Sequence, residues 1–152
     1  MPGRFDYILF ILTAFLILFL TGCRGTSGQN SLLGGDERES IPSVPDEYSG
    51  YANPFTGDAD AIAQGEILYQ ANCSSCHGST GEGDGPASGG IDPKPGNIAA
   101  RQANLSDSYL FWRISEGGLM EPFNSIMPGW KGILSAEKIW QVITYLRTMV
   151  VL

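Results

Sequence analysis

The pentapeptide Cys73-Ser74-Ser75-Cys76-His77 constrains this chain more than any other stretch, because its histidine is the only one in 152 residues. Two thiols with an imidazole directly after them suit few chemistries. A structural zinc site needs four ligands, usually as two close pairs, and the third cysteine, Cys23, stands alone far upstream. A thioredoxin-like redox pair follows a strand in a βαβ unit, yet no segment here alternates polar and apolar residues as a strand does. The spacing fits two thioether bonds to the vinyl groups of one haem, with His77 turning its imidazole onto the iron from the same side.

With no second histidine, ligation by two imidazoles is impossible, so the sixth position falls to methionine, lysine, water or nothing. Three methionines lie beyond residue 22: Met120, Met127 and Met149. Met149 reads as packing on a C-terminal helix. Met120 lies in Gly-Gly-Leu-Met-Glu-Pro. Met127 lies in Asn124-Ser125-Ile126-Met127-Pro128-Gly129-Trp130, where a proline fixes the backbone just past the thioether.

The N-terminus reads as an export signal. Tyr7–Leu20 is an uncharged, apolar run of 14 residues, too short to cross a hydrocarbon core that takes roughly 20 and the right length for a signal-peptide core. It ends in Leu20-Thr21-Gly22-Cys23, which resembles a bacterial lipobox; that resemblance implies diacylglycerol on Cys23 and cleavage before it. Export also accounts for the odd count of three cysteines: one for lipid and two for haem, with none left over.

Removing residues 1–22 takes away Arg4 and Asp6 and leaves the formal charge at −7. That sign is wrong for nucleic acid and for docking on anionic lipid, so membrane attachment has to come from acyl chains.

The expected domains are a signal peptide over 1–22, a lipidated flexible linker over 23–57 and a folded domain over 58–152. From Arg24 to Gly57 the chain is rich in Gly, Ser and Pro and carries no apolar period. As a coil it spans roughly 30 Å. Within it, Tyr48, Tyr51 and Phe55 are costly to leave in water, so they pack on the domain or dock on a partner.

The folded part reads as all-α, with three helices and long loops. The first covers about Ala59–Ala71, with Ile62, Ile67 and Leu68 as its apolar face and Asp58 and Asp60 at the positive end of the dipole. Another follows the N-cap Ser106 and stops at Gly117-Gly118. The third follows Ser135 and spaces Ile139, Val142, Ile143, Leu146 and Val150 along one side. The long stretches Gly78–Gly90 and Ile91–Leu105 need something to organise them, and a haem bonded to the chain would.

Together these features resemble a class I cytochrome c: Gly65-Glu66-Ile67-Leu68-Tyr69 before the Cys-x-x-Cys-His motif, a Met-Pro loop about fifty residues later, and Trp140-Gln141-Val142-Ile143-Thr144-Tyr145-Leu146-Arg147 at the end. The resemblance covers about 58–148. It implies a small cytochrome c fold, one covalent haem c held by Cys73 and Cys76, His77 and Met127 as iron ligands, and contact of Gly65 and Tyr69 where the first and last helices cross. It also implies a backbone carbonyl that orients His77, often a proline's; Pro86, Pro93 and Pro95 are the candidates. Glu82 and Asp84 read as a solvated loop, since two carboxylates are few for calcium. Trp112 and Trp130 suit either a haem propionate or the pocket wall.

An iron with both axial positions filled by protein transfers electrons and has no room for substrate. The expected function is therefore electron carriage on the outer face of a cytoplasmic membrane. The alternatives are a free lipoprotein shuttle, a haem enzyme with a labile distal ligand, or a gas sensor. The lipobox, the tether and the stretch from Trp112-Arg113-Ile114-Ser115-Glu116-Gly117-Gly118 to Pro122-Phe123-Asn124-Ser125 are similar to the mono-haem subunit of alternative complex III. That resemblance implies redox-protein partners within a quinol-oxidising complex.

Overall fold

Every regular element among the described residues is a helix. The computed structural model describes residues 41–150, so Cys23, the apolar run and the first part of the expected linker lie outside the described residues. The main helices are α1 (Ala59–Asn72), α2 (Ser74–His77), α3 (Ile98–Arg101), α4 (Asp107–Glu116) and α5 (Ala136–Leu146), with 3-10 turns at Asp46–Tyr48 and Gln102–Asn104.

Short polar side chains start these helices. Asp58 accepts from the Ala61 amide at 2.8 Å, Ser106 from Tyr109 at 3.1 Å and Ser135 from Lys138 at 3.3 Å. Each satisfies one of the amides that a helix start leaves without a partner. Asn97 does the same for α3 at 2.8 Å, so the stretch 91–105, expected as loop, contains a short helix and a turn.

The core forms where α1 crosses α5, and the buried face of α1 differs from the one its apolar spacing predicts, while Gly65 and Tyr69 meet α5 as the resemblance implies. Ala61, Gly65 and Tyr69 face inward, at the four-residue spacing of one helix side, while Ile67 is 62% exposed and Leu68 half-buried. Close approach decides this: a Cβ on Gly65 would stand 2.0 Å from the Gln141 carbonyl oxygen and 2.9 Å from Tyr145 Cβ. Only small residues admit such a crossing, and Tyr69, fully buried, fills the space beyond it with its ring 5.5 Å from that of Tyr145.

At the other end, α5 stops at Leu146 and Val150 is 66% exposed, off the expected face. The chain tightens there: Thr148 N bonds Tyr145 O at 2.9 Å and Met149 N bonds Leu146 O at 3.1 Å. These three-residue steps rotate the following side chains away from the helical register. Met149 nevertheless packs, 7% exposed, with its carbonyl accepting from Gln102 Nε2 at 3.0 Å.

The aromatic stretch before α1 belongs to the folded unit. Tyr48 is buried, and Tyr51 stands edge-on to both Tyr48 and Phe111, with ring centroids 5.8 and 5.3 Å away. Asn53, also buried, donates from Nδ2 to Thr144 Oγ1 at 2.9 Å and from its amide to Asp107 Oδ2 at 3.2 Å. A strap at 45–55 is thereby sewn across α4 and α5, and packing begins before residue 58.

Candidate functional site

Cys73 closes α1, and Ser74–His77 form the single turn α2, whose carbonyls are taken up by the following loop. Gly78 N bonds Ser74 O at 2.9 Å, Ala87 N bonds Ser75 O at 2.8 Å, Gly85 N bonds Cys76 O at 3.2 Å and Gly83 N bonds His77 O at 2.8 Å. This wrapping organises the glycine-rich loop. It also demands glycine at 85, where a Cβ would stand 2.4 Å from Ser75 O. Tyr69 donates its hydroxyl to Gly78 O at 2.8 Å, tying the turn to the core. Glu82 and Asp84 on the same loop are exposed, and no group of three or more His, Cys, Asp or Glu able to hold a metal ion exists among the described residues.

Cys73 and Cys76 are not joined in a disulfide, and both are half-buried. Burial, with Cys76 close by, pushes the Cys73 thiol up to about 12, so it stays uncharged. A thioether has no charge to desolvate, so alkylation of this sulfur suits its surroundings.

His77 Nδ1 lies 3.3 Å from the Gly96 carbonyl oxygen. The orienting acceptor is therefore Gly96, one residue past Pro95, the last of the proline candidates. The Pro95 carbonyl instead faces Gly83, where a Cβ would lie 2.3 Å from it. Burial lowers the His77 pKa, the Gly96 bond opposes this, and the Arg113 charge lowers it further. With a proton on Nδ1 toward Gly96, Nε2 keeps a lone pair for a metal.

Met127 is half-buried against the hydrophobic core, in a loop fastened to the end of α4. Gly118 N bonds Met127 O at 2.8 Å, Ser125 N bonds Gly118 O at 2.8 Å and Trp130 N bonds Ile114 O at 3.0 Å. Gly117-Gly118, expected as a helix stop, also leaves room for this loop: a Cβ on Gly117 would meet Met127 O at 2.5 Å. Met120 is placed differently, with its sulfur 4.0 Å from Arg113 Nη1. Trp112 is buried wall, edge-on to Tyr109 and Phe123, and Trp130 is half-buried against the core.

Arg113 is the site residue that sequence reasoning passed over. Its guanidinium carbon lies 3.4 Å from the Phe123 ring centroid, and Nη1 donates to Gly117 O. Burial lowers its pKa while Tyr109 raises it. Among the described residues none of these partners is an anion, and a cation in such surroundings calls for one. A haem propionate would meet that need. The thiols, the oriented imidazole and this cation together fit a covalently bound haem. A signal was present in the sequence: Arg113 is a lone charge between Leu110-Phe111-Trp112 and Ile114.

Comparison with known proteins shows the family of this chain. Residues 60–146 match the family model described as Cytochrome C oxidase, cbb3-type, subunit III, more than half of the chain. The chain belongs to that family. Membership of this cytochrome c family implies covalently bound haem c. Among its relatives is the Cbb3-type cytochrome c oxidase subunit FixP of Bradyrhizobium diazoefficiens, 26% identical over 80% of this chain and 38% of the relative. Another is the subunit CcoP of Azospirillum sp., 28% identical over 83% of this chain and 42% of the relative. The chain thus spans about two fifths of the length of these relatives. A reducing HAO-like protein complex of Kuenenia stuttgartiensis contains a similar fold, with a TM-score of 0.53 and 21% identity over 72% of this chain and 50% of that one. The all-helical architecture is that of a small cytochrome c.

Proposed function

We propose that the chain is a single-haem electron carrier tethered to the outer face of a cytoplasmic membrane. In this reading Cys73 and Cys76 hold the haem by thioethers, His77 and Met127 ligate its iron, and Arg113 faces a propionate. When bound, the haem would supply a one-electron couple, and methionine ligation by Met127 would raise its potential. The protein's part is to hold the Nδ1 proton of His77 on Gly96, to keep Met127 in a fastened loop and to keep water out with Trp112 and Phe123. One observation carries the reading: Gly96 turns His77 on the same single turn that presents Cys73 and Cys76.

The tether runs from a diacylated Cys23 through the linker to the strap. No helix of the described residues is long and apolar enough to cross a membrane. Relatives named as oxidase subunits support a place in a respiratory electron-transfer assembly. The likeness to the mono-haem subunit of alternative complex III supports a quinol-oxidising one.

Mass spectrometry of the protein purified from detergent-solubilised membranes tests both parts. The expected result is one haem per chain, surviving denaturation, and an acyl-modified N-terminal Cys23. Loss of haem on denaturation would sink the attachment, and an unmodified Cys23 the anchor. Copurifying subunits would identify the assembly.

A further inference from the structure

The C-terminal turn of α4 meets two segments that lie far apart in sequence. One is the Met127 loop, which leaves along α4 through Trp130 N to Ile114 O at 3.0 Å and Lys131 N to Ser115 O at 3.2 Å. The other is the strap, whose buried Tyr48 packs beside Phe111. Glu116 joins them. Its Oε1 accepts from the Tyr48 hydroxyl and, at 2.7 Å, from Lys131 Nζ. Lys131 raises no claim to much by itself, since its side chain is 64% exposed and such a pair contributes little. The Tyr48 hydroxyl changes that balance, because it adds a second hydrogen bond to a charged acceptor from a residue fixed in the core.

From this geometry we infer that Glu116 is a positioning residue for the distal ligand: it braces the Met127 loop against the strap, and releasing the strap speeds opening of the loop. The inference rests on Met127 being that ligand. The loop needs such a brace on its exit side. Pro128, Gly129, Lys131, Gly132 and Ile133 are all exposed, and a segment with few buried contacts and exposed backbone bonds opens locally at small cost. Because Tyr48, Glu116 and Lys131 form one network, losing either end weakens the other.

The test uses the haem-loaded full chain in its ferric form with imidazole as the entering ligand, whose binding must wait for Met127 to leave. Glu116→Ala should raise the binding rate at saturating imidazole about three- to tenfold. Tyr48→Phe should act comparably, and the double variant should exceed the larger single effect little, as in one network. Glu116→Gln, still an acceptor, should fall between wild type and Glu116→Ala. Amide exchange at Trp130 and Lys131 should rise in parallel, with Tyr69 and Ile143 unchanged. Unaltered rates in Glu116→Ala would overturn the inference, as would equal acceleration throughout α1 and α5, which means general loss of stability. Faster loop amides with an unchanged imidazole rate would overturn the assignment of Met127, and with it the ligand-positioning role.

Discussion

Gly65 and Gln141 lie in contact at the crossing of α1 and α5, so near that a Cβ at 65 would stand 2.0 Å from the Gln141 carbonyl oxygen. Backbone against backbone is the closest packing two helices make, and it sets how α1 delivers Cys73 to the site. Gly65→Ala should therefore destabilise the domain by about 1–3 kcal/mol from overpacking, despite the roughly 1 kcal/mol that alanine gains in helix propensity. Urea unfolding measures it, and an unchanged midpoint would mean the helices can part freely.

Met127→Ala should leave the haem covalently attached and convert the iron to a high-spin or ligand-binding form. Met120→Ala should keep the low-spin spectrum, since the Met120 sulfur lies beside Arg113. If the oxidised Met120 variant lost the sulfur-to-iron charge-transfer band and the Met127 variant kept it, the two roles would be exchanged.

Asn53→Ala removes the donor to buried Thr144 and the side-chain acceptor for the Phe55 amide. Thr144 Oγ1 keeps its bond to Trp140 O, but the lost bond and the Phe55 amide left unpaired cost about 1–3 kcal/mol, read from thermal or urea unfolding. A neutral result would mean that the strap contributes nothing to folding.

The Glu116 carboxyl is held below its ordinary value of 4.5, first by Lys131 and then by Tyr48, against the opposing effect of burial. A depressed carboxyl contributes stability that is present above its unfolded value and lost as pH falls through the lower folded one. Tyr48, its hydroxyl pushed up first by burial and then by Glu116, stays protonated throughout that range. The stability gap between wild type and Glu116→Gln should thus be steady above pH 4.5 and close below it, as urea midpoints at several pH values would show. A gap independent of pH would mean that ionised Glu116 contributes nothing.

Electron transfer should depend on the apolar surface of the Met127 loop. Ile126 is 63% exposed and Leu119 78%, and partners that meet only briefly use small contacts, below about 1,200 Å². Ile126→Glu should slow reduction by the purified partner far more than charge reversal at Glu82 or Asp84, with all spectra unchanged. Stopped-flow rates across a salt series decide it: a steep salt dependence with no effect at Ile126 would give the encounter to charge.

The sequence by itself determined what depends on near neighbours. Cys73, Cys76 and His77 are meaningful by spacing alone, and Asp58, Ser106 and Ser135 cap the helices they precede because capping reaches only three residues ahead. The all-helical class followed from the same local patterns. Tertiary structure decided what depends on distant partners. Periodicity put Ile62, Ile67 and Leu68 inward, yet the crossing at Gln141 turned Ala61, Gly65 and Tyr69 there, since clearance outweighs hydrophobicity where two backbones touch. Gly96, rather than a proline, supplied the carbonyl for His77, a pairing that spans nineteen residues and depends on how the loop folds back. Tyr48 looked like part of a tether until Phe111 and Glu116 gave it a place. Arg113 gained its meaning only when folding surrounded its charge with Phe123, Tyr109 and a carbonyl and left it in need of an anion.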